Sequence, residues 1–440
     1  MRAFLFAGIA IASAVSAAPT FNQDVLPILQ KHCQTCHRPG EIAPMSFLTF
    51  DSTRPWAKAI KTAVINKKMP PWTADRNYGH FRNDLTLSQG DIDTLSAWAD
   101  GGSIEGDAKG KPAPVEWPDS GWKIKPDHVV SLAPFTVPAK GTVELTDFVV
   151  PTGFTQDTWI TSIEFRPGSR SVVHHLVLSF RKHTDDVQYG AQPAPDRKRD
   201  ENGDIVRTGT RGERTSTRKG VSGGGPSQPF EALWVPGNPP ADYRLWNAAK
   251  LIPAGYDLVV NVHYTTNGKE TVDQTQVGFT IAKEPPTRRF VTSGVAPATD
   301  EVGFHIPAGD PNWEKTAEVQ LKQDAELVWF MPHMHLRGKD MTYNLVYPTG
   351  EKETALAVKW DFDWQLGFDV AKPVHVPKGT KVSVTAHYDN SANNKWNPNP
   401  NKDVWWGDQT WEEMFVGWFG VIVPTDVDPK QVIGQPARSE

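Results

Sequence analysis

Proline sets the tightest limit on what this chain can fold into. It occupies 37 of the 440 positions, 17 more are tryptophan, and few stretches carry a long helical pattern. Proline fixes φ and lacks an N–H, so it is excluded from helix interiors and central strands and gathers in turns. The chain therefore reads as many short strands joined by Pro/Gly turns. Stretches such as TVELTDFVV, DTWITSIEF, SVVHHLVLSF, QVGFTIA and AELVWF fit that description. The length exceeds what one core organises and predicts two or three domains. A formal net charge of -5 argues against a nucleic-acid partner.

The first residues, MRAFLFAGIAIASAVSAAPT, combine a basic Arg2, a short apolar stretch and small residues at Val15-Ser16-Ala17. That pattern predicts a signal peptide over 1–18 and an exported protein, periplasmic or secreted. The apolar stretch is too short to favour a spanning helix and no later segment is long enough, so no stable membrane insertion is expected.

Only two cysteines occur, Cys33 and Cys36, in HCQTCHRPG. C-x-x-C-H is the attachment motif of c-type haem, with thioethers from Cys33 and Cys36 and His37 as an iron ligand. A redox dithiol would want a βαβ setting and a zinc site would want a second ligand pair, and neither pattern is visible. Apolar residues recur at helical spacing at Phe21, Val25, Ile28, Leu29 and Cys33. A second helix is expected from Pro55 to the KKMPPW break, and a third from Ser88, with Asp91 as a capping-box acid and Gly101-Gly102 as the stop. The region 20–106 resembles a small c-type cytochrome domain. The resemblance implies a methionine as sixth iron ligand, Met69 first and Met45 as the alternative, and an iron that moves electrons.

Residues 107–128 are Pro/Gly-rich and unpatterned and read as a linker. Beyond them, IPAGYDLVVNVHYTTN from Ile252 and VPKGTKVSVTAHYDNS from Val376 align without gaps. They share a Pro-x-Gly turn, an alternating strand and a His-Tyr pair at His263 and His387, which predicts a duplicated β-domain. The expected architecture is a small all-α cytochrome c domain followed by two all-β, jelly-roll-like sandwiches over 129–285 and 286–426, with a tail over 427–440. A polar, Gly-rich insertion from Asp185 to Gly225 interrupts the first sandwich.

The remaining chemistry lies in histidines. The first sandwich carries His174-His175 and His263, and the second carries His333 and His335 in MPHMHLRG. Alternate strand residues share a face, so His333 and His335 can converge, while the adjacent pair needs a bulge or a strand end. His32, His80, His128, His183, His305 and His375 read as structural. Imidazole suits copper, zinc, iron and nickel, and thioether sulfur selects copper. A zinc hydrolase would need a carboxylate base that the sequence does not identify. A fused electron carrier favours a redox metal, hence copper.

HH, then V-H-Y, then H-x-H-L-x-G, then E-E-M resemble the copper type II, ascorbate-dependent monooxygenases, the family of dopamine β-monooxygenase and peptidylglycine α-hydroxylating monooxygenase. The resemblance implies two mononuclear coppers, one per sandwich, facing a solvent-filled cleft. His174, His175 and His263 would hold the electron-transfer copper. His333, His335 and Met414 would hold the oxygen-activating copper, with O₂ and a small organic substrate as reactants. An external donor, an ascorbate-like reductant or a redox protein, would supply electrons, relayed by the haem. This chain departs from the family in lacking cysteines in both sandwiches. It also has Met331, Val416 and Trp418 where the peptide-hydroxylating member grips its substrate, which predicts an apolar, aromatic pocket. His387 lies outside the family's ligand set. The alternative is a copper-binding electron-transfer or storage protein without oxygenase activity.

Overall fold

The computed structural model describes residues 18–118, 121–193, 231–299, 303–407 and 409–435. The expected signal peptide, residue 18 aside, and most of the 185–225 insertion lie outside them. The chain divides into two compact units. One comprises the chain up to Pro71 together with Leu85–Glu116; the other comprises Trp72–Asp84 and everything from Trp117 onward.

In the first unit α-helices run over Leu26–His32, Ala57–Ile65 and Gln89–Asp100, with a single turn of helix at Phe50–Thr53. Ser88 caps the Gln89–Asp100 helix in a reciprocal box, its hydroxyl accepting from Asp91 N–H while the Asp91 carboxylate accepts from Ser88 N–H. Phe21, Val25, Leu29, Leu95 and Trp98 fill a small core, and Cys33 and Met45 pack against it.

The second unit is built from four larger antiparallel sheets. Two of them share one core. Thr158–Arg166 is the hub of the first sheet, and Tyr256–Tyr264 lies between Thr146–Pro151 and Val173–Lys182 in the second. Phe148, Phe165, Leu176, Val260 and Phe279 fill the space between them. The other two share a second core around Leu327, Phe330, Tyr343, Val384 and Phe419. One of these has the order Arg288–Val295, Val416–Pro424, Ala325–His333, Phe368–Val376; the other runs from Lys352–Lys359 to Ile433–Gly434, with Lys381–Tyr388 at its centre.

Phe290, Val328 and Ile422 belong to the first core although their strands lie in the second region's sheet. Their chain neighbours Val291, Leu327 and Val421 belong to the second core. That sheet is therefore buried on both faces, and Val416–Pro424 is buried at every position except its last. The run VGWFGVIV is apolar without alternation, as a doubly covered strand requires. Gly420 leaves the room that the Phe290 ring occupies, where a Cβ would collide with it.

The expected fold class is corrected by these observations. The chain is mostly β, its few helices are short, and it has no sizeable all-α cytochrome domain. The helical stripes span two to three turns each, and Pro/Gly-rich segments at 38–49 and 66–87 keep them from extending. The two β regions are not separate domains, because a shared sheet covers both cores. Trp72–Asp84 joins the β unit, bridging at Ala74 to Val358 and at Phe81 to Val370, and Trp72 and Phe81 pack edge-on against Phe368. The expected linker is partly structured: Trp122 and Ile124 are buried, and the backbone N–H groups of Lys123 and Ile124 donate to Glu164. The expected tail returns to pair Ile433–Gly434 with Gln320 and Leu321. Among the described residues no helix is long and apolar enough to cross a membrane.

Candidate metal centre

Strand register places the first three histidines. His175 lies directly opposite His263, but the next pair along is Val173 with Tyr264. His174 is the extra residue of a β-bulge. A bulge re-aims the residue that alternation would turn away, so both members of the HH pair reach one side. Their Nδ1 atoms are 3.0 Å apart, and one ring nitrogen from each of His174, His175 and His263 falls within 4.8 Å of the others.

The second set sits at a strand end. His333 closes the Ala325–His333 strand, and His335 follows in the turn. The Glu413 carboxylate shapes that turn by accepting from the backbone N–H groups of His335 at 2.8 Å and Arg337 at 2.5 Å. Arg337 is buried, donating to Asn390 Oδ1 and Trp411 O. Met414 follows Glu413 directly and is itself buried, its carbonyl accepting from Tyr388 Oη–H. Each imidazole of this pair is oriented through Nδ1. That of His333 donates to Gln365 Oε1 at 2.9 Å and that of His335 to the Glu412 carbonyl at 3.2 Å. With the proton on Nδ1, each ring would offer Nε2 to a metal.

The two sets are contiguous. Ring centroids are 5.0 Å apart for His175 and His263, 6.2 Å for His175 and His333, and 5.3 Å for His333 and His335. Burial holds every one of the five below the ordinary imidazole range, and neighbouring imidazoles add to the effect. His174 and His333 fall to about 4 and His263 to about 3, and His175 and His335 also lie well below. All five are neutral near pH 7. Among the described residues no carboxylate side chain contributes to those shifts.

Other predicted positions fall elsewhere. Met331, Val416 and Trp418, expected to line a pocket, are buried in the second core, with Met331 beside Trp418 in register. They pack the sheet and do not form an open surface. His387 lies on Lys381–Tyr388, its ring held by Asp340 at 2.6 Å and Glu314 at 3.0 Å. Burial opposes its charge, but the two carboxylates outweigh it and raise its pKa. The strand repeat thus holds imidazoles opposite His263 and carboxylates opposite His387. His128, His183 and His305 hydrogen-bond to Thr152, Asp257 and Asp403. A small pocket is lined by Tyr243, Trp246, Phe290 and Trp329 with Asp369 and Gly367.

In the first unit, Cys33 and Cys36 stand on one turn with no disulfide between them, and the N–H groups of Cys36 and His37 both donate to Cys33 O. Burial, with the neighbouring Cys36, pushes the Cys33 thiol up to about 12. A redox dithiol needs a depressed value, so this setting disfavours that alternative. His37 stacks on Phe47 at 4.3 Å and leaves its buried Nδ1 without a partner. Two thiols outside any disulfide, beside an imidazole whose buried Nδ1 has no partner, fit covalent haem attachment. Met45 shares the core that Cys33 packs against, whereas Met69 follows the Ala57–Ile65 helix, half-buried.

Glu413, Gln365, Trp360 and Phe362 escaped the sequence reading. Glu413 stood in the quoted E-E-M and Arg337 in H-x-H-L-x-G, so both were findable as partners of the ligands. DFDWQLG carries no periodic or motif signal.

No protein-family model matches the chain, and no curated protein matches it. A solved structure of the infectious bursal disease virus Gx strain is similar at 10% identity, over 73% of this chain and 78% of that one, with a TM-score of 0.15. A likeness of that size carries no argument about this chain.

Proposed function

We propose that the chain is an exported, haem-bearing copper monooxygenase that hydroxylates a C–H bond of a small organic substrate with O₂. The observation that carries it is the cluster of five neutral imidazoles drawn from both β regions of the second unit. Neutral imidazole suits copper, and Met414, next in sequence to the Glu413 that holds the His335 turn, would add a thioether ligand. In this reading His174, His175 and His263 hold one copper, and His333, His335 and Met414 hold the other. Copper would supply one-electron chemistry toward O₂; turnover consumes O₂, two electrons and two protons per C–H bond and releases water. Gln365 and the Glu412 carbonyl keep His333 and His335 turned, and Glu413 fixes the backbone between them.

Cys33, Cys36 and His37 would hold haem c, with Met69 as sixth ligand by resemblance and Met45 as the alternative. The haem would take electrons from an ascorbate-like reductant or a redox protein and relay them. Export rests on residues 1–18, of which 1–17 lie outside the described residues.

A second reading, a copper electron-transfer or storage protein, is favoured by the burial of Met331, Val416 and Trp418. Metal analysis of haem-loaded protein tests the first step. About two coppers per chain, falling to about one in His333→Ala, supports the two-site assignment; zinc, or copper indifferent to His333, rejects it. Substrate-dependent O₂ uptake then separates the enzyme from the carrier.

A further inference from the structure

We infer that the two histidine sets form one closely spaced dimetal site, clasped by the segment Trp360–Gly367, instead of two sites facing each other across a solvent-filled cleft. The inference rests on the copper reading above and deepens it. The rings of His175 and His333 lie 6.2 Å apart, edge to face. Imidazole contacts run unbroken from His174 through His263 and His175 to His333 and His335.

One segment touches both sets. Phe362 stacks on His174 at 5.0 Å and 20°, and buried Gln365 accepts from His333 Nδ1–H. Gln365 Nε2 donates to Phe362 O, so the two contacts are tied together and the amide cannot turn without breaking one of them. Trp360 Nε1–H donates to His335 O. The far end is pinned on both sides: Gly367 N–H donates to Asn238 Oδ1 from the first β region, and Asn83 Nδ2–H donates to Gly367 O. The segment is short and doubly anchored, and it fixes the distance between ligands that belong to different sheets. Gln365 and Phe362 are positioning residues in this arrangement.

The test is EPR of haem-loaded protein carrying Cu(II), read against copper content. Two coppers per chain with a half-field transition and a broadened or diminished main copper signal are expected. In Gln365→Leu with Phe362→Ala, the narrow signal of isolated copper should appear and the half-field line should be lost, while Gln365→Glu, which keeps an acceptor for His333, should retain the coupling. Two coppers in wild type with narrow, isolated signals and no half-field line would overturn the shared site but leave the copper reading standing. Coupling unchanged in the double variant would overturn the clasp. Fewer than two coppers in wild type would bring down the copper reading and this inference together.

Discussion

The rings of His175 and His333 meet edge to face, with an interplanar angle of 81°. His175 pairs with His263 in one sheet, and His333 ends a strand of another, where it pairs with Val416. Their proximity follows from the sheet that both cores share, since a separate second domain would have no reason to bring its strand end to the first.

Removing one ligand of the first set should not empty the second. His263→Ala removes the partner directly opposite His175, so copper content should fall from about two to about one per chain. Loss of both ions would show that the sets cannot fill independently.

Glu413 holds the His335 turn through two backbone N–H groups. Glu413→Ala orphans both donors, each at a cost of about 1–3 kcal/mol, and should lower the melting temperature. It should also weaken copper binding at the second set by about 10–100-fold, the usual effect of losing an outer-shell partner. Isothermal titration with copper, beside a thermal melt, checks both.

Acid should destabilise the metal-free protein. The five imidazoles have folded pKa values below the unfolded value of about 6.5, so the unfolded state takes up protons first. Their contribution is present above pH 6.5 and is lost as pH falls through the folded values of about 4 for His174 and His333 and about 3 for His263. Each such group costs about 1.4 kcal/mol per pH unit inside its window. Glu413 acts in the opposite sense. Burial raises it to about 8, so its contribution is lost as pH rises from the ordinary carboxyl range toward that value. Denaturant unfolding between pH 4 and pH 8 should show stability falling on the acid side, and His263→Ala should flatten that fall.

The two β regions should unfold together. Phe290 lies on one region's strand but packs in the other's core beside Tyr243 and Trp246. Phe290→Ala should cost about 3–5 kcal/mol and shift one transition of the whole β unit. Two separated transitions, only one of them moved, would contradict the shared core.

Haem attachment has its own check. Protein co-expressed with haem-attachment machinery should keep its haem after denaturation, and Cys33→Ser with Cys36→Ser should lose it. Met69→Ala and Met45→Ala compared by optical spectra then identify the sixth ligand through loss of its charge-transfer band.

Much of the site was legible one residue at a time. HMH announces itself by the two-residue period of a strand, and HH and VHY by placing imidazoles in strand-forming runs. The need for a bulge at His174 could be stated in advance, since adjacent residues on a regular strand face apart. The capping box at Ser88 and the short helical stripes could be read in the same local way. Outside reach were the partners supplied by distant segments: Gln365 for His333, Glu413 for the His335 turn, Phe362 for His174. None of them stands near its histidine in sequence, and glutamine or phenylalanine in a loop has no periodicity to betray it.

By itself the sequence determined which residues can carry chemistry and how each local stretch is shaped, because those depend on side-chain type, proline placement and a two-residue period. Tertiary structure alone decided that two β regions close over one doubly buried sheet and that five histidines, from three strands and the turn after one of them, lie together. The run VGWFGVIV hinted at a strand covered on both faces, but what covers it depends on Phe290, Val328 and Ile422 meeting a core built from residues far away. Burial and proximity of that kind arise only when the whole chain has packed, and the chemistry proposed for the histidines depends on both.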